Sequence, residues 1–136
     1  MTRVNAGINP RELHRAHLVA ELREITMVPA SLLRSLRTRT SKSILKEIPR
    51  SFTLNTGHVK FFYNKMTFLS NRFHLLADEM ERRGYIPDRT RGIAFSDFDP
   101  IWDNNWTPTE KDNDVVRERI ALRISEKPHL YQDELD

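Results

Sequence analysis

The chain begins Met-Thr-Arg, and its second residue could supply a nucleophile. Initiator methionine is normally removed before a residue as small as threonine, which leaves the α-amine of Thr2 free. The ordinary pKa of an α-amine is about 7.7–8.0, so a sizeable fraction of it is neutral near pH 7. A neutral amine can attack an electrophilic carbon and form an imine, as catalytic lysines do. Very many proteins start Met-Thr, so this chemistry needs support from other residues.

A carboxylate and an imidazole share one side of the first predicted helix. At about 100° per residue, His17 and Glu24 lie about 20° apart around the helix axis, and Glu21 lies about 40° beyond His17. Such a pair could bind a cation or act as a general acid and base, and a solvated helix side is the competing interpretation. We expect no metal site, since a third ligand at suitable spacing is missing. The absence of cysteine excludes thiolate chemistry and disulfides.

Basic residues crowd the segment that follows this helix. Its positive charges, interleaved with Ser and Thr hydroxyls, are Arg34, Arg37, Arg39, Lys42, Lys46 and Arg50. Arg and Lys neutralise phosphates, and hydroxyls add hydrogen bonds that fix the register of a bound strand. The segment therefore predicts a nucleic-acid contact. A second basic patch, nearer the C-terminus, contains Arg117, Arg119 and Arg123.

The net charge of +3 conceals an uneven distribution. Residues 1–50 hold ten Lys and Arg against four Asp and Glu, and residues 51–91 hold seven against four. Residues 92–136 hold five against eleven. The first two thirds of the chain thus have the charge of a polyanion-binding protein, with scattered solvated charges as the alternative.

Length and composition favour one ordinary folded domain over residues 1–136. Hydrophobic residues make up 38% and charged residues 30% of the chain, which is typical of globular proteins. No apolar run approaches the roughly 18 residues that a membrane span needs, and Arg3, Asn5 and Asn9 interrupt any signal-peptide core. We therefore expect an intracellular, cytoplasmic monomer with no membrane partner and no cofactor.

Three helices dominate the predicted structure. The first runs from about Pro10 to Met27, with Leu18, Leu22 and Ile25 on one side, and continues to about Arg39 after a break near Pro29. The second, from Gly57 to Arg83, has apolar residues at steps of three and four and stops at Gly84. The third begins at Thr107-Pro108-Thr109-Glu110, with Thr107 as N-cap and Glu110 at N3, and Pro128 closes it.

Irregular connections separate these helices. Ser51–Leu54 could form a short extended piece, but no long stretch alternates with period two, so we expect an all-α domain without a sizeable sheet. Phe61, Phe62 and Phe68 are predicted to lie in the core, and His58 could be a structural hydrogen-bonding residue. Trp102 and Trp106 are predicted to pack the acidic loop onto the domain.

In this order, these pieces resemble the pyrimidine-dimer DNA glycosylase/AP lyase family, which includes endonuclease V of the T-even phages and its bacterial and viral relatives. The resemblance covers nearly the whole chain: it shows in MTRVN, HLVAELRE, SFTLNTGHVKFFYNKMTFL, ERRGYI and RERIALRISEKPHLY. The resemblance implies a compact three-helix fold, with the N-terminal segment threaded between the helices. It also implies double-stranded DNA containing a lesion or abasic site as the partner, in a bacterial or phage-infected cell.

The resemblance assigns roles to individual residues. Thr2 matches the nucleophile, whose amine attacks C1′ of the damaged nucleotide, forms a Schiff base and cleaves the strand by β-elimination. Glu24 matches the glutamate that stabilises the cationic sugar, which is the electrostatic complement that such a step requires. Residues that match positions lining the active site or contacting DNA are Arg3, His17, Arg23, Arg119, Arg123 and, in the aromatic tail, Tyr131.

Three departures from the family pattern leave the substrate open. An arginine that helps hold the lesion is replaced by Met27, and an acidic end follows Tyr131 in place of aromatic and lysine residues. An extra residue between Asn5 and Pro10 would shift the amine unless the loop absorbs it. We expect cyclobutane pyrimidine dimers as substrate. The alternatives are an AP lyase or glycosylase for another lesion or modified base, and a non-catalytic DNA-binding member of the fold.

Overall fold

Helices supply the regular structure of residues 3–131, the part of the chain that the computed structural model describes. The α-helices are α1 (Arg15–Glu24), α2 (Met27–Leu36), α3 (Ser41–Lys46), α4 (His58–Phe61), α5 (Met66–Arg82) and α6 (Glu110–Glu126). Short 3-10 helices are Pro10–Glu12, Arg89–Phe95, Pro100–Trp102 and Pro128–Leu130. Residues 3–131 contain no strand, so the predicted all-α class is confirmed, and the short extended piece considered at Ser51–Leu54 is not a strand.

The first predicted helix is divided earlier than expected. α1 ends at Glu24 and α2 begins at Met27, so the break precedes Pro29. Pro29 is the third residue of α2, where its missing N–H costs no helical hydrogen bond. A continuous helix would instead push the proline ring against the carbonyl of Ile25. The proline therefore sets the position of the break four residues upstream.

The second predicted helix is also two helices. α4 ends at Phe61, and α5 starts at Met66 after a tight turn. Side chains satisfy carbonyls that the break leaves open: Lys65 Nζ donates to the Phe61 carbonyl at 2.8 Å, and Asn104 Nδ2 donates to the Asn64 carbonyl at 3.0 Å. The apolar stripe survives the break, since Phe62, Met66, Leu69, Phe73, Leu76 and Met80 are all buried.

The predicted end of α5 is confirmed, whereas the predicted start of α6 is wrong by two residues. Gly84 adopts φ +96°, and Tyr85 N–H donates to the Met80 carbonyl, which is the usual glycine-terminated helix end. Thr109, not Thr107, caps α6, and its capping-box partner is Asp112. The sequence offers a capping threonine in both registers. In the observed one, Pro108 lies outside the helix, close to Gly7.

The core forms around α5, which contacts α1 and the 3-10 helices Pro10–Glu12 and Arg89–Phe95. Phe61, Phe62 and Phe68 are buried as predicted. Trp106 stacks on Phe52 with a centroid distance of 5.6 Å, and Trp102 is almost fully buried, so both tryptophans fasten the acidic loop to the domain. None of the helices within residues 3–131 is long and apolar enough to cross a membrane.

One ion pair lies inside this core. Arg72 of α5 donates from Nε to Glu21 Oε2 at 2.8 Å and from Nη2 to Glu21 Oε1 at 3.0 Å. The side chains of Arg72 and Glu21 are only 3% and 1% exposed. Glu21 is therefore not part of a solvated side of α1, which was one of the two interpretations of this side of the helix. The helix turns Glu21 inward because a buried arginine on α5 and an amide on Asn5 meet it there.

We predict that Arg72→Met destabilises the protein by about 3–5 kcal/mol, because it leaves a buried carboxylate without its cation. Urea denaturation followed by circular dichroism measures this change. The matched control is Arg89→Met, which removes an arginine paired with Asp78 and Glu81 at the surface, where ion pairs contribute little. Equal effects of the two substitutions would contradict a structural role for the buried pair.

Candidate functional site

The N-terminal segment, residues 3–8, runs through the middle of the domain. Val4, Ala6 and Ile8 are at most 1% exposed, so every second side chain anchors the segment in the core. Its backbone is held as well: Val4 N–H donates to His58 Nε2 at 2.9 Å, and Asn5 N–H donates to Glu21 Oε2 at 3.2 Å. Side chains of α4 and α1 therefore accept hydrogen bonds from two consecutive residues of the segment.

The segment then turns sharply before Pro10. Ile8 N–H donates to the Asn5 carbonyl, and Ala6 has φ +49°, a left-handed conformation that alanine rarely adopts. Gly7 N–H donates to Asn113 Oδ1 of α6 at 2.8 Å. A Cβ on Gly7 would lie 3.0 Å from Pro108 Cγ, so the close approach favours glycine at this position. Residues 5–8 therefore form a compact turn.

A pocket of about 540 Å³ opens beside the start of this segment. Arg3 and Asn5 contribute one side, and α1 contributes His17, Glu21 and Glu24. α6 and the chain after it complete the wall with Arg119, Ile120, Arg123 and Tyr131. The pocket thus joins both ends of the described chain, and it brings together six of the predicted site residues: Arg3, His17, Glu24, Arg119, Arg123 and Tyr131. Thr2 lies outside the described residues.

Two carboxylates line the pocket, but they are not equivalent. Glu21 accepts four hydrogen bonds, two from Arg72 and two from Asn5, so its oxygens are already occupied. Glu24 lies one helical turn further on, is 18% exposed, and has Arg23 Nη2 3.7 Å from its Oε2. Because Arg23 is 62% exposed, this contact is a weak surface pair. Glu24 is therefore the pocket carboxylate that can respond to a bound molecule.

Arg3 is a half-buried cation among other charged side chains of the pocket. Burial lowers the pKa of Arg3, the charge of Arg119 lowers it further, Glu24 opposes the shift, and Arg123 adds to it. Arg3 therefore interacts electrostatically with all three of these side chains. Positive charge exceeds negative charge in the pocket, since Arg72 neutralises Glu21. Such a pocket favours anionic ligands.

Aromatic rings close one side of the pocket. Tyr131 stacks on His17 with a centroid distance of 4.9 Å and an interplanar angle of 12°. His14, the residue that precedes α1, meets the Tyr131 ring edge-on at 5.4 Å. Tyr131 is only 8% exposed, so the chain after α6 folds back onto α1. Sequence reasoning selected His17 and Tyr131 but missed His14, although its spacing of three residues from His17 was a usable signal.

The arginines of α6 separate into two groups. Arg119 and Arg123 line the pocket and form no ion pair within residues 3–131. Arg117 points elsewhere and contacts three carboxylates within 4.0 Å, those of Glu12, Glu110 and Asp114. The hydrogen bonds to Glu12 and Asp114 raise the pKa of Arg117, and the three nearby carboxylates offset its charge. Only part of the basic patch that we predicted on this helix is thus available to a phosphate.

The basic segment after α1 lies outside the pocket. Arg34 lines a wider groove of about 1350 Å³ next to the pocket, together with Met27, Lys60 and Arg119. Arg39 is engaged within the protein: its guanidinium binds Glu47, which Lys60 also contacts at 2.8 Å. This pairing lowers the pKa of Glu47 to about 2. The remaining predicted contacts, Arg37, Lys42 and Lys46, are exposed. Arg119 borders both cavities and connects them.

Several residues that position the site could not be identified from the sequence. Asn5, Arg72 and Asn113 contact partners far away in the chain, up to 106 residues for the Gly7–Asn113 hydrogen bond, so no local spacing could reveal them. His58 was expected to be a structural hydrogen-bonding residue, and its bonds to Val4 and Thr53 confirm this. Within residues 3–131, no group of three or more His, Asp or Glu side chains could hold a metal ion.

A family model described as pyrimidine dimer DNA glycosylase matches residues 1–91 of this chain. The match includes Arg3, His17, Arg23 and Glu24 and the helices α1 to α5, whereas α6 and Tyr131 lie beyond it. The match extends over about two thirds of the 136 residues. The chain belongs to the pyrimidine dimer DNA glycosylase family.

Proposed function

We propose that this protein is a DNA glycosylase with AP lyase activity that acts through an imine formed by the α-amine of Thr2. The observation that carries this proposal is the threading of residues 3–8 through the core, which fixes Arg3, the first described residue, at a pocket that Glu24 also lines. Consecutive Cα atoms are about 3.8 Å apart, so a nucleophile at residue 2 works within one peptide unit of Arg3.

The proposed chemistry uses the pocket as follows. The neutral amine attacks C1′ of the damaged nucleotide, and the glycosidic bond breaks with its electron pair leaving on the base. The nitrogen then loses a proton, the C1′–O4′ bond breaks, and O4′ takes up a proton, so the sugar ring opens to an iminium. The iminium loses a proton from C2′, the C3′–O bond breaks, and the 3′ phosphate departs. Hydrolysis of the imine then restores the amine. Glu24, the pocket carboxylate without strong internal bonds, stabilises the positive charge that develops on the sugar and assists the proton transfers.

The arginines of the pocket serve the DNA backbone in this proposal. Arg3, Arg119 and Arg123 provide three cations at one opening, and such groups bind phosphate oxygens with well-defined geometry. Arg34 extends the basic surface along the neighbouring groove, followed by the exposed Arg37, Lys42 and Lys46. Arg39 contributes less, because Glu47 already binds its guanidinium.

A second candidate function is an AP lyase with little lesion specificity. Met27, which stands at the first position of α2, is 46% exposed on the rim of the groove beside the pocket. A thioether cannot donate hydrogen bonds to a lesion, whereas an arginine would offer several. The observation favours weaker recognition of the damaged base without any change in the imine chemistry.

We expect the α-amine to be trapped on DNA. With Met1 removed, cyanoborohydride should join the wild-type protein covalently to a duplex that contains an abasic site. Thr2→Ala keeps the amine and should still be trapped, whereas a glycine inserted before Thr2 moves the amine by about 3.8 Å and should abolish trapping. Denaturing gel electrophoresis and N-terminal sequencing of the adduct measure both outcomes.

Glu24→Gln is the companion variant. It keeps the amine and the shape of the side chain, and it should lower the single-turnover rate on the order of 100-fold to 1000-fold, as loss of a charge-stabilising group does. Absence of any adduct from the wild-type protein, on either abasic or dimer-containing DNA, would leave only the non-catalytic DNA-binding interpretation.

Two arginines of α6 provide a matched test of DNA binding. Arg123→Gln removes a pocket cation that no carboxylate within residues 3–131 neutralises, so the slope of log K against log salt should fall by about 0.9. Arg117→Gln removes a cation that three carboxylates already neutralise, and its slope should stay at the wild-type value. Fluorescence anisotropy with an undamaged duplex measures the slopes. Equal slopes in the two variants would contradict the assignment of the pocket face to DNA.

Met27→Arg tests the lesion preference. The added guanidinium should raise cleavage of dimer-containing duplex relative to abasic duplex, because it restores hydrogen bonds that methionine cannot make. The ratio of the two single-turnover rates is the measurement, and Met27→Lys, with the same charge but no planar fork, is the control. An unchanged ratio in Met27→Arg would show that this position does not control lesion preference.

A further inference from the structure

His58 holds the N-terminal segment through one particular protonation state. Its Nδ1 lies 2.7 Å from the Thr53 carbonyl oxygen, which can only accept a hydrogen bond, so Nδ1 carries a proton. Its Nε2 lies 2.9 Å from the Val4 backbone nitrogen, which can only donate, so Nε2 must be without a proton. Both bonds exist only for the neutral ring with its proton on Nδ1. A second proton, on Nε2, would face the Val4 N–H donor and break that hydrogen bond.

The local sequence builds this geometry. Gly57 precedes His58 with φ +98°, a conformation that side chains rarely adopt, and a Cβ there would lie 3.0 Å from Pro49 Cγ. This glycine starts α4 and aims the imidazole at the N-terminal segment. Phe52 and Phe62 meet the ring edge-on, at centroid distances of 5.6 Å and 5.4 Å, and shield it from water. The imidazole is therefore fixed in position and tautomer.

We infer that His58 is a positioning residue for the reactive amine, acting through its unprotonated Nε2 on the Val4 N–H two residues after Thr2. The inference rests on the proposed function, because the amine is the group being positioned. The carboxylate of Glu21 holds the next residue, Asn5, and the guanidinium of Arg72 in turn binds that carboxylate. Of these anchors, the imidazole is the group whose ordinary titration range lies near neutral pH.

The surroundings of the ring keep it neutral at ordinary pH. Burial lowers the pKa of His58, while the hydrogen bond to Thr53 opposes this shift. Two charged side chains act on the ring: Arg3 of the N-terminal segment lowers the pKa, and Glu21 of α1 raises it. The bond to Val4 is thus present above the unfolded pKa of about 6.5 and is lost as the pH falls through the lower folded value.

The consequence is a second requirement for a deprotonated nitrogen in the reaction. The amine must be neutral to attack, and His58 must be neutral to place it. Misplacement of a reacting group by about 1 Å can reduce a rate on the order of 100-fold. Loss of the Val4 bond should therefore slow imine formation more than it weakens DNA binding, which depends on arginines at the surface of the pocket.

Two variants distinguish the need for a hydrogen-bond acceptor for the Val4 N–H from the effect of protonating the imidazole. His58→Gln can present an amide oxygen near the place of Nε2 and does not titrate, whereas His58→Leu offers no acceptor. At about pH 8, His58→Gln should form the trapped adduct with abasic duplex at close to the wild-type rate. His58→Leu should form it on the order of 100-fold more slowly under saturating DNA. The Kd for the duplex should be the same in all three proteins. His74→Gln, at an exposed position on α5, is the control.

The pH dependence of the trapping rate distinguishes a positioning role of His58 from a purely structural one. The ratio of the wild-type rate to the His58→Gln rate should be constant above the ordinary imidazole pKa of about 6.5 and should fall as the pH drops through the lowered pKa of His58, since only wild type loses its acceptor there. The titration of the amine cancels in this ratio. A ratio that stays flat, or a His58→Leu protein that traps as fast as His58→Gln, would overturn the inference.

Amide hydrogen exchange keeps the test decisive if His58→Leu does not fold, or if the wild-type protein forms no adduct. The Val4 amide should exchange faster at about pH 5 than at about pH 7, after correction for intrinsic rates, in wild type but not in His58→Gln. Missing adducts combined with this pattern would refute the imine chemistry and leave the His58 anchor standing. Protection of Val4 that is independent of pH in the wild type would refute the anchor itself.

Discussion

The structure depends most on a single buried carboxylate. Glu21 accepts hydrogen bonds from Arg72 on α5 and from Asn5 on the N-terminal segment, so three separate parts of the chain meet at its two oxygens. Arg72 also donates to the Ile8 carbonyl. A buried ion pair gives little net stability compared with apolar packing, but removal of one partner is expensive, which makes the arrangement specific. The register of residues 5–8 against α1 and α5 follows from this carboxylate.

The same arrangement determines what the pocket can do. With Glu21 neutralised by Arg72, Glu24 is the pocket carboxylate that faces a ligand, and Arg3, Arg119 and Arg123 are left with excess positive charge. Two carboxylates on one helix thus take different roles because their surroundings differ. The two glutamates differ in the number of internal hydrogen bonds that each accepts, although they are the same residue type.

The sequence predicted those parts of the fold and site that depend on local spacing. The buried stripe of α5, the glycine that ends it and the proximity of His17 to Glu24 all follow from helical periodicity. The break near Pro29 was expected, but it lies further upstream, because the proline clash acts on the carbonyl four residues before it. The break after α4 was not expected, because it depends on carbonyls that the side chains of Lys65 and Asn104 satisfy. The burial of Glu21 was not predicted for a similar reason, since its partners are 16 and 51 residues distant.

The single hydrogen bond from Gly7 to Asn113, with Pro108 packed beside it, joins α6 to the N-terminal turn. The placement of residues 3–5, by contrast, is set by α1, α4 and α5, all of which lie within the matched residues 1–91. The position of residues 3–5 therefore depends little on α6. Substitutions on α6 could change the charges or the aromatic contacts of the pocket wall and leave that position intact.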